Sequence, residues 1–471
     1  MIALTLAEIA DALGGQLLAG ADPQLVVDGS VETDSRRVTP GSIFFALPGE
    51  VTDGHLFADA AAENGAALLI VERPVDAVVP QLQVTDGVVA LAALARIVVA
   101  RVRAAGTMRV AAITGSNGKT TTKNLLRAVL ESVGPTIAPQ GSFNNHVGAP
   151  ISMLRVDALT EYLVVEMGAS HIGEIARLVS IVTPDVGVVL KVGLAHAGEF
   201  GGVDAIQRAK SEMVTDLPAS AVAVLNRDDP RVAAMAGQTA ARVVWFGTHP
   251  DSDLHADDLA VTASGTTFEV TVDGASYPVR LRILGEHHVS NALAALAVAR
   301  EFDVPIVDAI TRLESVSRAE RWRMEVLDRG DGVIVINDAY NASPDSTAAA
   351  MKTLAQILQP GQRSVAVLGE MAELGEFAQE EHDRLGRLAV RLNIGKLVVV
   401  GERARHIHLA AGLEGSWDGE SVLVADVDAA YDLLREELRA GDVVLVKSSK
   451  SAGLRFLGDR LGAPMSEQGT A

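Results

Sequence analysis

Short unbroken runs of valine, leucine, isoleucine and alanine recur along this 471-residue chain, and most are followed by a segment with helical spacing. "RVAAIT", "YLVVEMG", "GVVLKVG" and "AVAVLN" form one series; "GVIVIND", "SVAVLGE", "KLVVVGE", "SVLVAD" and "DVVLVKSS" form another after residue 320. Runs without polar alternation belong to strands buried on both faces, which requires parallel sheets covered by helices. That restricts the chain to the α/β class. It is also too long for a single hydrophobic core. The two series predict two parallel sheets, over residues 85–318 and 319–471, behind a smaller α/β module at 1–84 built from "SIFFAL", "AALLIVE" and turn-rich stretches. One patch of the middle region, "TTFEVTVDGASYPVRLRIL", does alternate, and predicts an antiparallel hairpin turning at Asp273-Gly274.

The stretch "RVAAITGSNGKTTTKNLLRAVL", residues 109–130, joins a strand to a helix through a Gly/Ser/Asn turn. A phosphate-binding loop needs small residues so that backbone N–H groups can converge on phosphate oxygens, and Gly115, Ser116 and Gly118 meet that need. It also needs a lysine for the β- and γ-phosphates, here Lys119, and a hydroxyl for magnesium at the helix start, here Thr120. Thr114, Asn117 and Thr121 complete the contact stretch. The common pattern wants one more glycine where Ile113 stands inside the strand, so this loop is of a shorter kind. Nucleotide binding follows from the motif; the reaction does not.

Composition narrows the partners. There is no cysteine, which excludes disulfides, thiolate metal sites and cysteine nucleophiles. The formal net charge of −20 argues against nucleic acid, and an anionic small substrate would need a local cluster of basic residues. "MIALTLAEIADALGG" lacks the basic start of a signal peptide. The longest apolar run, "VVALAALARIVVARV", is broken by Arg96 and is too short for a membrane span. A soluble, cytoplasmic protein is expected.

The short loop "TGSNGKTTT" resembles that of the Mur ligase superfamily, which includes folylpolyglutamate synthases. Further segments resemble the family in order: "DSRRVTPGSIFFALPGEVTDGHLFADAA", "GSFNNHVGAP", "VVEMGASHIGEI", "AHAGEFGG", "AKSEM", "GEHHVSNALAA", "NDAYNASPDS" and "LGEMAELG". "FNN", "DAYNASP" and "LGEMAELG" are similar to the branch that adds D-alanyl-D-alanine to UDP-N-acetylmuramoyl-tripeptide, and the Asp-Asn-Pro-Arg motif of the diaminopimelate-adding branch does not occur. "VKSSKS" departs from the family's Lys-Gly-Ser-Arg, which leaves the role of residues 447–451 open.

The resemblance implies three domains: a UDP-substrate module, a central ATPase-like parallel sheet, and a Rossmann-like doubly wound sheet. It implies a monomeric, ATP- and magnesium-dependent ligase of peptidoglycan precursor synthesis that forms a C–N bond through an acyl phosphate. A ligase adding diaminopimelate, lysine or glutamate is the near alternative, and a non-catalytic nucleotide-binding regulator the distant one.

Residue roles follow from the same resemblance. Glu166, ending an apolar strand, is implied to hold magnesium beside Thr120. His196 and Lys210, the latter carbamylated, are implied to hold a second magnesium. Helical spacing alone favours a solvated face for Lys210. Asn291 is implied to read adenine, and Arg323 and Asp338 to reach ATP from the third domain, with Arg318 and Arg321 competing for the arginine's register. Tyr340 and Asn341 are expected to face the incoming dipeptide, Ser35 and Arg36 the uridine diphosphate, and Asn144 and Asn145 the muramoyl end. Arg37 is as readily a surface residue, and the two asparagines as readily a simple turn.

Overall fold

The computed structural model describes residues 1–464 apart from 19, 50, 196, 319 and 416. The runs form three principal sheets. The first orders Gln16–Leu17, Gln81–Gln83, Leu68–Val71, Ile43–Phe45 and Val31–Glu32. The second has nine strands; Arg109–Thr114 is an interior one, flanked by Tyr162–Glu166 and Val186–Val189, all parallel. The third orders Glu325–Asp328, Ile334–Asn337, Asp442–Lys447, Arg363–Leu368, Lys396–Val400 and Glu420–Val424.

The carboxyl end of Arg109–Thr114 is where the site belongs. The chain leaves Arg109–Thr114 toward Tyr162–Glu166 on one side and later returns to Val186–Val189 on the other. Reversing strand order opens a crevice at the carboxyl ends, where open α/β sheets take their ligands. Val110, Ala112, Val164 and Val188 are fully buried, as expected of strands covered on both faces.

The expected hairpin is present: Gly265–Val272 pairs with Ala275–Leu281. Asp273 (φ +51°) and Gly274 (φ +80°) make its two-residue turn, both left-handed as such turns require. The third sheet holds one strand that apolar runs do not reveal, Glu325–Asp328, which pairs antiparallel at the edge. Only one flank is paired and Val326 is 45% exposed, so the strand carries no continuous apolar signature.

"VVALAALARIVVARV" lies within helix Gly87–Ala105, begun by Asp86, whose carboxylate accepts from the amides of Val88 and Val89. Leu91, Leu94 and Val98 of this helix share one core with Leu4, Ile9 and Phe45 of the first module, so the helix joins the first two sheets. Among the described residues no helix is long and apolar enough to cross a membrane.

Candidate active site

The glycines of the loop are sterically required. Gly118 has φ +88°, and a Cβ there would fall 2.3 Å from Asn291 Oδ1. At Gly115, φ +150°, it would fall 2.9 Å from Leu190 Cβ. The loop is anchored to both neighbouring strands. Thr114 Oγ1 donates to Met167 O (2.8 Å), the Ser116 amide donates to Lys191 O (2.8 Å), and Ser116 Oγ donates to Gly193 O (3.1 Å). Lys119 and Thr120 then open helix Lys119–Leu130, whose Leu125, Leu126, Val129 and Leu130 are buried.

A cavity of about 260 Å³ lies over this loop. Ser116, Asn117, Gly118, Lys119, Thr120, Thr121, Asn144, Glu166, Asn291, Arg323, Asp338, Tyr340 and Asn341 all line it. Elements more than 200 residues apart in the chain therefore meet here. Lys119 Nζ donates to Gly115 O at 2.6 Å, and burial holds its ammonium below the usual lysine range against the opposing pull of Glu166. Glu166 Oε1 accepts from Asn144 Nδ2 (2.7 Å) and Thr120 Oγ1 (3.3 Å), while Oε2 is buried with no partner among the described residues. Asn117 Nδ2, His288 Nε2 and Arg323 Nε share that condition and line the same cavity. Buried polar atoms without partners are costly, so four around one cavity mark a site shaped for a polar ligand.

Magnesium prefers hard oxygen donors. Glu166 Oε2, unpartnered beside the Thr120 hydroxyl, fits such an ion. Lys210 resolves its open alternative toward burial: it is 3% exposed, with its ammonium 5.8 Å from the Phe200 ring. Burial first, and then the charge of Lys119, push its pKa down to about 7 against Glu212 and Glu174. His196, implied as its companion, lies outside the described residues.

From the third sheet, Arg323 Nη2 donates to Ser142 Oγ (3.2 Å), and its guanidinium stacks 4.4 Å over the Tyr340 ring. Tyr340 therefore carries the arginine. Asp338 Oδ2 pairs with buried Lys447 Nζ at 2.6 Å, and Lys447 also donates to Asn341 O at 3.0 Å. The divergent "VKSSKS" segment thus places a lysine at the cavity wall. Its charge is offset by Asp338, so Lys119 and Arg323 supply the local positive charge that an anionic ligand needs in a chain of net charge −20.

Some expected roles are redistributed. The side chain of Asn291 is engaged with Thr122 Oγ1 (3.3 Å) and His288 Nδ1 (3.2 Å). It also borders a second cavity of about 490 Å³, lined by Lys191, Asn226, Asp228 and Arg231. Asn145 Oδ1 accepts from the amides of Val147 and Gly148, opening helix Gly148–Met153, whereas Asn144 reaches Glu166. Ser35 is buried in a turn; its carbonyl accepts from Asn64 Nδ2. Arg36 points outward, its side chain 87% exposed and clamped to Asp34. Arg37, not Arg36, lines the cavity of about 350 Å³ between the first module and the Phe143–Asn145 turn. Arg318 pairs with Glu325 and Arg321 with Asp459, leaving Arg323 as the arginine of this stretch on the nucleotide cavity.

Sequence reasoning missed Ser142 and Lys123. Ser142 Oγ lies 2.9 Å from Thr120 Oγ1 and accepts from Arg323, joining the loop helix to the third sheet. Lys123 is fully buried and donates to the carbonyls of Pro139 (2.7 Å) and Gly141 (2.9 Å), fixing the turn that carries Ser142 and Asn144. Burial pushes its pKa down to about 8. The one signal for it was a lysine within the buried stretch of an amphipathic helix. We expect Lys123→Met to lower stability by roughly 1.5–3 kcal/mol, the scale of hydrogen bonds from a charged group, and to raise KM for ATP. Unchanged thermal melting and KM would show that the turn holds itself.

Three family models match in succession: "Mur ligase family, catalytic domain" over residues 29–108, "Mur ligase middle domain" over 113–299, and "Mur ligase, glutamate ligase domain" over 322–450. The UDP-N-acetylmuramoyl-tripeptide–D-alanyl-D-alanine ligase of Mycobacterium tuberculosis strain H37Rv is 46% identical, with 98% of each chain covered. A crystal structure of MurF from Acinetobacter baumannii superposes with a TM-score of 0.89 at 32% identity, covering 98% of this chain and 99% of that one. MurF from Thermotoga maritima, solved with ADP, gives 0.81 at 29% identity over 93% and 98%. With models matching most of its length in domain order and a full-length relative at this identity, the chain belongs to the Mur ligase family.

Proposed function

We propose that this chain joins D-alanyl-D-alanine to the terminal carboxylate of UDP-N-acetylmuramoyl-tripeptide, consuming ATP, in peptidoglycan precursor synthesis. The observation that carries the reading is the single cavity where Lys119, Glu166 and Arg323 meet from two sheets with buried polar atoms still unpartnered. The relatives named as ligases of this type supply the substrate class.

A carboxylate is a poor electrophile, so the tripeptide carboxylate first takes the γ-phosphoryl group of ATP, releasing ADP. The amine of the dipeptide attacks the carbonyl carbon of this acyl phosphate, phosphate departs with the C–O bond, and the amine loses a proton. Transfer between two anions depends on positioning and charge neutralisation. The loop amides and Lys119 cradle the phosphates, Arg323 meets the γ-phosphate from the opposite wall, and Asp338 is held in place by Lys447. Arg37 and Asn144 face the nucleotide-linked substrate. Thr120 and Glu166 would hold one magnesium ion, and Lys210 as a carbamate with His196 a second; when bound, the ions offset phosphate charge. A buried lysine with pKa near 7 supplies the neutral amine that combines with carbon dioxide, losing a proton.

The test is product mass after incubation with UDP-N-acetylmuramoyl-tripeptide, ATP and candidate acceptors. D-alanyl-D-alanine should be incorporated, and free alanine should be poor because a site shaped for a dipeptide leaves polar groups unpaired. Preference for diaminopimelate, lysine or glutamate would move the chain to a neighbouring branch.

A further inference from the structure

The motif "LGEMAELG", residues 368–375, has no part in the chemistry above, yet its backbone closely approaches that of a loop of the second sheet. The Gly198 amide, in the short helix Ala197–Phe200, donates to Glu373 O at 2.9 Å. A Cβ on Gly198 would lie 2.6 Å from Gly375 N and 3.0 Å from Glu373 O; one on Gly375 would lie 2.9 Å from Gly198 Cα. Two backbones touch here with no room for one added carbon. Glu373 at φ +63° and Gly375 at φ +56° are both left-handed, a costly conformation for the glutamate.

Both loops are braced from behind. Gly369 N donates to Lys447 O (3.0 Å), Ser449 N to Glu370 O (2.9 Å), and Ala372 N to Ser449 Oγ (2.8 Å). Met371 N donates to His382 Nε2 (3.1 Å), and Met371 and Leu374 are buried in the core of the third sheet. On the opposite side, Phe200 of the Gly198 helix stands over Lys210. The divergent Lys447–Ser449 turn thus holds Asp338 with its lysine and the 369–375 loop with its backbone and serine.

We propose that Gly198 and Gly375 form a side-chain-free latch that docks the third domain against the wall carrying Lys210, with Ser449 as its brace. All three are positioning residues for the ligation, and the proposal rests on the ligase reading. Misplacing reacting groups by about 1 Å can cost on the order of 10²-fold in rate.

Gly198→Ala is the clean test, since its conformation is not left-handed and only the contact is changed. Its kcat should fall at least about tenfold while KM for the UDP-linked tripeptide stays at the wild-type value, because that substrate's cavity lies on the first two domains. X-ray scattering should show that ATP plus the tripeptide no longer compacts the variant to the wild-type radius of gyration. Gly375→Ala should behave alike. Gly361→Ala, in the same domain at φ +88° with nothing within 4 Å, carries the strain without the contact and should keep wild-type turnover. Ser449→Ala, should the glycine variants not fold, is expected to lower kcat about threefold with KM unchanged. Wild-type kcat and compaction in Gly198→Ala, equal losses in Gly361→Ala and Gly375→Ala, or wild-type kinetics in Ser449→Ala would each overturn the latch. A wild-type protein that ligates no acceptor would instead sink the ligase reading.

Discussion

Replacing Lys119 with alanine is expected to abolish ligation with the fold intact. The ammonium sits half-buried where the loop becomes the helix, with Glu166 and Arg323 both close enough to bias its charge. It is the cation available to the β- and γ-phosphates from below, while Arg323 approaches from the third sheet. Preorganised contacts of this kind contribute about 3–4 kcal/mol to a transition state, a rate loss of at least ~10²-fold. The helix should survive, because Lys119 caps nothing and its hydrophobic face lies at Leu125, Leu126, Val129 and Leu130. Steady-state phosphate release, beside circular dichroism and thermal melting, makes the comparison. A folded alanine variant with near-normal turnover would remove the loop from the mechanism.

Lys210→Ala should also fold and lose ligation, while keeping nucleotide binding through Lys119 and Thr120. The side chain is 3% exposed, and burial holds its pKa at about 7, so near neutrality a large fraction is uncharged. A neutral amine can take up carbon dioxide, and the charge at this point then reverses from +1 to −1. If that carbamate is the working group, formate or acetate should restore part of the activity to the alanine variant. Bicarbonate should not, since no amine remains. Wild-type protein in ¹³C-bicarbonate should give a carbamate resonance that Lys210→Ala lacks, a readout independent of turnover. Full activity in the alanine variant would return Lys210 to a purely structural role.

What could be read from residues alone were features with local causes. Continuous apolar runs specify two-faced strands, an Asp-Gly pair specifies the left-handed hairpin turn, and the glycine spacing of 115–118 specifies a loop whose amides converge. Each depends on a few consecutive residues; the strands, the hairpin turn and the left-handed Gly118 of the loop are present in the structure. Strand Glu325–Asp328 escaped because an edge strand needs only one buried face. Which of Arg36 and Arg37 lines a cavity was illegible for a related reason. They are adjacent in one short turn, and only the position of the Phe143–Asn145 segment from another domain decides which arginine faces a cavity.

By itself, then, the sequence determined the α/β class, the phosphate loop and the family, because these reside in short-range patterns of size, polarity and order. The tertiary structure decided the rest. It buried Lys210, for which helical spacing favours a solvated face, since the amphipathic period says nothing of what a neighbouring loop will cover. It gave Lys447 a partner in Asp338, 109 residues away, where the divergent segment had no legible role. It also recruited Ser142 between Thr120 and Arg323, contacts spanning 22 and 181 residues. Interactions of that range depend on how whole sheets dock, and no local propensity encodes them.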